Sequence, residues 1–275
     1  MAAARAGGRA VLIPFITAGD PSLAATADLA EALAGAGADL LEIGVPFSDP
    51  LADGPTIQRA SERALANGVT LRAILGTLPE VRRRADIPIV LMSYLNPVLR
   101  HGLARFAREA REAGADGVIL SDLPVEEAAE ARAACEAAGL DLVFLAAPTS
   151  GRARLARIAE ASRGFIYAIT RTGVTGAREE LPRGVRDLVA AIRAVTSKPV
   201  ALGFGISTPE QVRAAAQHAD GVVVGSAIVD LVGRFGGEPE RMLREVGQFT
   251  ARLAAPLRGG APHAGLLHEG PGHLH

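Results

Sequence analysis

The chain has no tryptophan, a single lysine and a single cysteine, and aromatic residues make up only 4% of it. One cysteine, Cys135, cannot form a disulfide framework, and its place in an alanine-rich helical pattern predicts a small core residue. A net charge of -1 without a basic tract gives no sign of a nucleic-acid or membrane partner. Because no apolar run could span a bilayer and residues 1–10 lack an apolar signal segment, we expect a cytoplasmic protein.

Short apolar runs alternate with longer amphipathic segments, and 49% of the residues are hydrophobic, enough for one large core. The patterns predict strands at 11–17, 40–44, 88–92, 117–120, 142–146, 165–169, 199–203 and 221–224. They predict helices at 23–34, 103–113, 125–138, 155–161, 185–195, 211–217 and 227–231, with further helices after these. Eight strand–helix units in this order predict an α/β fold, a single-domain (β/α)₈ TIM barrel with extra helices, over residues 1–255.

A unit of helix end, turn and strand start recurs at residues 36–42, 113–119 and 217–223. When the copies are aligned on their aspartates, Glu42 takes the place of Ile119 and Val223. Because side chains alternate faces along a strand, the two aliphatic residues indicate that this position faces the barrel interior. Glu42 is then a carboxyl group in an apolar site, where burial raises a pKa toward neutrality. The alternative is a glutamate neutralised in a buried ion pair.

Residues 41–55 run from a predicted strand into a loop rich in proline and glycine. The loop carries a second acid, Asp53, and apolar residues including Phe47 and Leu51 lie between the two acids. Two carboxyl groups near the mouth of a strand, with apolar residues around them, indicate a pocket that transfers protons beside an apolar ligand. We interpret this segment as part of an active site.

Glycine-rich loops follow the last two predicted strands. One is Gly203-Phe204-Gly205, and the other is Gly225-Ser226, which opens a short helix. Barrels commonly bind phosphate at this place, because backbone N–H groups can approach an anion and a helix N-terminus adds its dipole. Ordinary turns also need glycine, and that alternative remains. The polar loop 170–178 after the sixth strand is either a lid or a static connector.

Other catalytic groups are scarce at the predicted catalytic face. Lys198, the only lysine, precedes the seventh strand and so lies at the opposite face, which makes Schiff-base catalysis unlikely. None of the six histidines ends a strand with a second ligand at metal spacing, so we expect no metal site. His218 is at a helix end, where a capping role fits it better. Ser121-Asp122 ends the fourth strand and is a catalytic candidate, and the alternative is that Asp122 caps the next helix.

Six segments together resemble the tryptophan synthase alpha subunit family, and they are residues 14–21, 42–55, 121–127, 171–176, 203–207 and 225–229. They occur in the family's order, and the resemblance covers about residues 11–253. It implies a lyase of L-tryptophan biosynthesis that cleaves indole-3-glycerol phosphate to indole and glyceraldehyde 3-phosphate by a retro-aldol reaction. It also implies no cofactor in this chain and an alpha2-beta2 complex with a beta subunit that holds pyridoxal phosphate.

The resemblance implies a role for each matching residue. Glu42 matches the general acid/base, and Asp53 matches the carboxylate that accepts a hydrogen bond from the indole N–H. The other matches are Phe15, Ile57, Tyr94 and Phe204 around the indole, Tyr167 beside the acid, Thr175 in the lid, and Gly176, Gly205, Gly225 and Ser226 around the phosphate. Asp122 matches a residue of the lid and partner region.

Both ends of the chain depart from the family pattern. Many members begin with an amphipathic helix that closes the bottom of the barrel, whereas residues 1–10 carry no apolar stripe. What closes the bottom is therefore open. Residues 256–275 are rich in glycine, proline and histidine, and we expect a disordered C-terminal tail.

Three hypotheses about activity follow. The first is the alpha subunit of a bifunctional complex, and the second is a stand-alone lyase that releases free indole. The third is a barrel that has lost catalysis and only binds and activates its partner. The presence of both Glu42 and Asp53 argues against the third. Sugar-phosphate epimerases share the glycine loops but have no need of the loop that carries Asp53.

Overall fold

A computed structural model describes Met1, Ala4 and residues 7–170, 181–203 and 205–258 of the chain. Parallel strands form its centre, in the spatial order β5-β4-β3-β2-β1-β9-β8-β7-β6. The strands are β1 Val11–Thr17, β2 Leu41–Gly44, β3 Ile89–Ser93, β4 Gly117–Leu120, β5 Asp141–Val143, β6 Leu145–Ala146, β7 Ile166–Ile169, β8 Val200–Gly203 and β9 Gly221–Val224. The (β/α)₈ barrel expected from the sequence is confirmed.

Helices surround the strands. They are α1 Leu23–Gly35, α2 Pro55–Ala66, α3 Leu71–Arg84, α4 Leu95–His101, α5 Leu103–Glu112, α6 Ala129–Ala138, α7 Arg152–Ala161, α8 Arg183–Arg193, α9 Pro209–Ala216, α10 Ser226–Phe235 and α11 Pro239–Arg258, with a 3₁₀ turn at Val125–Glu127. Helices α2, α3 and α4 were not among the helices for which the sequence patterns predicted a range. Local signals place them, since Gly54 precedes Pro55 at the first turn of α2 and the Thr70 side chain caps α3.

The fifth strand position is divided, although the sequence predicts one strand at 142–146. β5 pairs with β4 and β6 pairs with β7, so the two short strands together close the barrel. Phe144 lies between them. Its N–H donates to the buried Ser162 hydroxyl at 3.0 Å, and the Phe144 carbonyl accepts from the Tyr167 N–H at 3.1 Å. The side-chain bond replaces a ladder bond, and the strand is interrupted there.

The barrel interior is packed with aliphatic side chains from alternate strand positions. Ile13, Val90, Ile119 and Val223 belong to one interior cluster. Glu42 pairs in register with Phe15 on β1 and with Val90 on β3. The repeat therefore gives the correct face for Glu42, which lies in this interior at 2% exposure.

The aspartate of each repeat serves the opposite, N-terminal face of the barrel. Asp39 accepts the Leu12 N–H at 2.9 Å, Asp116 accepts the Ile89 N–H at 2.9 Å, and Asp220 accepts the Val200 N–H at 2.8 Å. Each aspartate also forms ion pairs with arginine. Asp39 pairs with Arg9, Asp116 pairs with Arg82 and Arg111, and Asp220 pairs with Arg193. Arg82, Arg111 and Arg193 lie on helices, so Asp116 and Asp220 each tie a neighbouring strand to the helix layer. Arg9 precedes β1, so Asp39 ties β1 to the segment before it. These contacts have a stabilising role.

Both termini differ in part from the expectations. Met1 and Ala4 pack against the interior cluster at the bottom of the barrel, so apolar contacts cover this end despite the lack of a stripe. Helix α11 continues to Arg258, three residues past the predicted domain boundary at 255. Residues 259–275 lie outside the described part. Among the described helices, none has the length and apolar character needed to cross a bilayer.

Replacing Asp220 tests the stabilising role of the repeat. Asp220 is 2% exposed, so Asp220→Ala removes a buried acceptor and leaves the Val200 N–H and Arg193 without it. We expect a loss of about 3 kcal/mol in the free energy of unfolding, measured by urea titration. Asp116→Ala is the matched control, because Asp116 is 42% exposed and its loss should cost less. Equal losses for the two variants would contradict this account.

Candidate active site

A cavity of about 260 Å³ opens at the C-terminal ends of the strands. Its lining brings together most of the predicted site residues that the structure describes, namely Phe15, Glu42, Asp53, Ile57, Tyr167, Gly205, Gly225 and Ser226. Met92, Ser121, Leu145, Ile169, Gly203 and Val223 complete much of the wall. Residues from many different strands thus converge on one space, as expected for the functional end of a barrel.

Glu42 is the buried acid of the cavity. Burial raises the pKa of its carboxyl group to about 8, and the nearby charge of Asp53 adds to the rise. Its Oε1 has no hydrogen-bond partner within the described residues, and no ion pair to Glu42 occurs among them. The described residues give no support to the alternative of a buried ion pair. The carboxyl group is instead mostly protonated at neutral pH, in the form that can donate a proton.

Asp53 is the second acid, and it lies on the loop before α2. Burial raises the pKa of Asp53 to about 6, while a side-chain hydrogen bond from Tyr94 lowers it. The two acids therefore have different protonation states between about pH 6 and pH 8, with Glu42 protonated and Asp53 ionised. Such a separation of pKa values assigns the proton donor and the stabilising anion to different residues.

Backbone and side-chain bonds hold the Asp53 loop in place. The Asp53 N–H donates to the Pro50 carbonyl at 3.0 Å, and the Gln58 side chain donates to the Asp53 carbonyl at 3.0 Å. The Tyr94 hydroxyl accepts from the Ala52 N–H at 2.9 Å. The side chain of Asp53 is thus presented by a fixed turn at the N-terminus of α2, next to the end of β3.

Two glycines make room for the aromatic walls of the site. A Cβ on Gly44 would lie 2.4 Å from the Phe15 ring, and a Cβ on Gly203 would lie 2.8 Å from the Tyr167 hydroxyl. Any larger residue at either position would push an aromatic ring out of the cavity. Burial raises the pKa of Tyr167 well above its usual value, and the charges of Glu42 and Asp53 add to that effect.

Glycines and a helix N-terminus form the other end of the cavity. Gly205 has a φ of +81°, a conformation that favours glycine. Gly225 precedes α10, whose first turn has no side-chain cap, and Ser226 is its first residue. The first turn of α10, with its backbone N–H groups and the positive end of the helix dipole, therefore lies at this end of the cavity. This arrangement suits a phosphate group.

Several predicted positions lie elsewhere or outside the described part. Thr175, Gly176 and Phe204 are not among the described residues. Tyr94 lines a smaller space that adjoins the main cavity and shares Phe15, Asp53 and Ile57 with it. Its ring packs on Phe47 with the ring centroids 5.1 Å apart. A place for Tyr94 around the indole stays a prediction.

The ambiguous polar residues have structural partners. The Asp122 carboxylate accepts the Leu95 N–H at 2.7 Å, so it caps α4 from the next loop. Lys198 donates to the Ala159 and Ser162 carbonyls at 2.7 and 2.6 Å, at the end of α7 and at the opposite face of the barrel, as expected. Cys135 is buried in the core, and burial raises the pKa of its thiol to about 11.

Some lining residues were not predicted, among them Met92, Leu145 and Ile169. The signal that could find them is the alternation of side chains near the end of each strand, because every second residue faces the interior. No set of three or more His, Cys, Asp or Glu side chains that could hold a metal ion occurs in the described ranges.

The barrel, the two acids and the glycine-lined end define a class of protein, a (β/α)₈-barrel enzyme that transfers protons to an apolar, phosphorylated ligand. The sequence model of the tryptophan synthase alpha chain family matches residues 1–257. The chain belongs to this family. Its class is that of a carbon–carbon lyase of tryptophan biosynthesis, which confirms the function and the enzyme class expected from the sequence.

Relatives agree with this assignment. The chain is 56% identical to the tryptophan synthase alpha chain of Geobacter sulfurreducens over 245 residues, 89% of this chain and 92% of that one. It is 52% identical to that of Roseiflexus castenholzii, over 92% of this chain and 94% of the other. A tryptophan synthase structure from Mycobacterium tuberculosis matches with a TM-score of 0.86 and 42% identity, over 94% of this chain and 96% of that chain. A tryptophan synthase complex from Pyrococcus furiosus matches with a TM-score of 0.82 and 39% identity, over 90% of this chain and 98% of that chain.

The raised pKa of Glu42 predicts a pH-dependent cost to folding. The ordinary value of 4.5 applies to the unfolded chain and about 8 to the folded one, so the folded state holds the extra proton between these pH values. As the pH rises through this window, the free energy of unfolding of the wild type should therefore fall relative to that of Glu42→Gln, by up to about 1.4 kcal/mol per pH unit. Urea unfolding of both proteins at pH 5 and pH 8 measures this change. A stability difference that is the same at both pH values would contradict the burial effect.

Proposed function

We propose that Glu42 and Asp53 together perform the retro-aldol cleavage of indole-3-glycerol phosphate in this cavity. The observation that carries the proposal is the buried Glu42 carboxyl group, unpartnered at Oε1 within the described residues, in a cavity with Asp53 on one side and the glycine loops on another. A proton donor, an anion and a phosphate site at one cavity match the three parts of this substrate.

In the first step Glu42 protonates the indole carbon that bears the side chain. Positive charge then develops on the ring nitrogen, and Asp53 accepts a hydrogen bond from its N–H and stabilises that charge. In the second step the Glu42 carboxylate takes the proton of the side-chain hydroxyl, and the carbon–carbon bond breaks. The bond electrons return to the ring, which gives indole, while the hydroxyl carbon becomes the aldehyde of glyceraldehyde 3-phosphate.

Other residues bind and orient the substrate. Phe15, Ile57 and Tyr167 supply apolar area for a flat indole ring, and Phe204 is proposed to join them. Gly205, Gly225 and Ser226 bind the phosphate through backbone N–H groups and the α10 dipole, together with Gly176. Thr175 is proposed to close over the acid. These roles rest on the resemblance of the surrounding segments to the family.

The chemistry needs no cofactor in this chain under this proposal. The protonated indole ring itself accepts the electrons of the broken bond, so two carboxyl groups are enough for proton transfer and charge stabilisation. A cytoplasmic location belongs to the same proposal, and the single buried thiol is in keeping with a reducing compartment.

Glu42→Gln tests the proposed chemistry directly, because the amide keeps the shape but cannot transfer the proton. We expect the rate of indole release from indole-3-glycerol phosphate to fall by about 10²–10⁴-fold, with the fold retained by circular dichroism. Asp53→Asn should also lower turnover, while glyceraldehyde 3-phosphate binding changes little. Activity of Glu42→Gln within a few-fold of the wild type would remove Glu42 from this role.

We also propose that the chain works in an alpha2-beta2 complex with a tryptophan synthase beta subunit. Leu51 is 86% exposed and Leu99 is 50% exposed, and both lie on segments at the catalytic mouth. They are the large exposed hydrophobic residues of the described part. Exposed apolar side chains grouped on one face favour a protein partner there. The stand-alone lyase is the second candidate, since the same residues could simply cover the entrance.

Titration with a beta subunit distinguishes the two candidates. The turnover of the wild type should rise to a plateau as the beta subunit is added. Leu51→Ser should raise the beta-subunit concentration needed for half-maximal activation, with a smaller effect on the rate without partner. Glu136→Ser is the control, because this exposed residue lies near the end of α6 at the opposite face of the barrel. No change in turnover and no co-elution would promote the stand-alone lyase.

A further inference from the structure

A small void adjoins the main cavity beside Asp53, and the two spaces share Phe15, Asp53 and Ile57 in their linings. It has a volume of about 10 Å³, and its polar lining consists of Thr17, Asp53, Ser61, Ser93, Tyr94 and Ser121. A void of this size holds about one water molecule, and a water needs two to four polar partners. The space is therefore suited to a single water rather than to a larger ligand.

The Thr17 hydroxyl at this void lacks a hydrogen-bond partner among the described residues. Thr17 is only 4% exposed. A buried hydroxyl without a partner costs about 1–3 kcal/mol relative to one that is bonded. Valine has nearly the same shape without this cost, so a hydroxyl at this position indicates a partner in the void that the described residues do not supply.

The other polar groups around the void are mostly engaged. The Ser93 hydroxyl donates to the Tyr94 carbonyl at 2.8 Å, and the Ser121 hydroxyl donates to the Ser93 carbonyl at 3.3 Å. The Tyr94 hydroxyl accepts from the Ala52 N–H. The Asp53 carboxylate accepts a side-chain hydrogen bond from Tyr94, and its two oxygens have further lone pairs, since an ionised carboxylate acts only as an acceptor. A water between Thr17 and Asp53 could donate to the carboxylate.

We propose that one ordered water occupies this void and bridges the Thr17 hydroxyl to the Asp53 carboxylate. Thr17 is then a positioning residue, which acts on the reaction through the water and Asp53. The functional part of this inference rests on the proposed role of Asp53. The presence of the water does not, because it follows from the void and the unpartnered hydroxyl alone.

The charges near Asp53 explain why such a donor matters. The titratable groups that face Asp53 in the described structure are Glu42 on β2, Tyr94 after β3 and Tyr167 on β7. None of them is cationic. A hydrogen bond from water favours the ionised carboxylate, so its loss raises the pKa of Asp53. The acid side of the pH–rate profile, where Asp53 becomes protonated, moves to higher pH when the water is lost.

A high-resolution crystal structure of the wild type is the first test. We expect a water peak within hydrogen-bonding distance, about 2.6–3.1 Å, of both the Thr17 hydroxyl and an Asp53 carboxylate oxygen. In Thr17→Val the peak should be absent, and in Thr17→Ser it should be present. An empty void in the wild type, or a water that stays in Thr17→Val, would overturn the proposal.

The pH dependence of kcat/KM is the second test. The acid limb should shift to higher pH in Thr17→Val and return to the wild-type position in Thr17→Ser. Thr250→Val is the matched control, since Thr250 in α11 also has a fully buried hydroxyl without a partner in the described structure. It should leave the limb unchanged. A water in the wild type combined with an unshifted limb in Thr17→Val would overturn the positioning role.

The two tests also separate this inference from the proposed function. If Asp53→Asn retained full activity, the role of Asp53 would be wrong, and the crystallographic result would still decide whether the water is bound. If Asp53→Asn lost activity while the wild-type void was empty, the proposed function would stand and the bridging water would be wrong.

Discussion

Burial of the Glu42 carboxyl group is the constraint on which the rest of the site depends. A carboxylate inside an apolar barrel loses its hydration, and the free energy of ionisation rises until the group holds its proton near neutral pH. Every neighbouring feature accommodates that acid. The strands place it in the interior, Phe15 and Tyr167 surround it, and Asp53 stays near the entrance, where solvent is closer and its pKa is lower. The different pKa values of the pair favour the acid role for Glu42 and the anion role for Asp53.

The N-terminal end of the barrel stabilises the fold, whereas the C-terminal end holds the candidate active site. At the N-terminal face, Asp39, Asp116 and Asp220 bind strand N–H groups and arginines, and these contacts stabilise the fold. At the C-terminal face, the buried Glu42 carboxyl group, whose Oε1 has no partner among the described residues, opposes stability. The same repeat contributes residues to both ends, because its aspartate lies at the N-terminal end of the strand and the residue three positions later lies in the interior.

The sequence predicts the barrel, most strand positions and the interior direction of Glu42, because alternation and the repeat are local signals. Pairwise contacts between distant strands leave no such signal. The close approach of Phe15 to Gly44 and of Tyr167 to Gly203 appears only when neighbouring strands are in register. The position of Tyr94 beside Asp53 depends likewise on two loops meeting, and the break at Phe144 depends on a serine hydroxyl 18 residues away.

The most direct test of the central claim is a measurement of the ionisation of Glu42 itself. The side-chain carboxyl carbons are labelled with ¹³C, and the Glu42 signal is assigned by its absence from the Glu42→Gln spectrum. The chemical shift is then followed from pH 4 to pH 10 in the protein without substrate. Burial predicts a titration with an apparent pKa of about 8, influenced by Asp53. A Glu42 signal that titrates near the ordinary value of 4.5 would contradict the account.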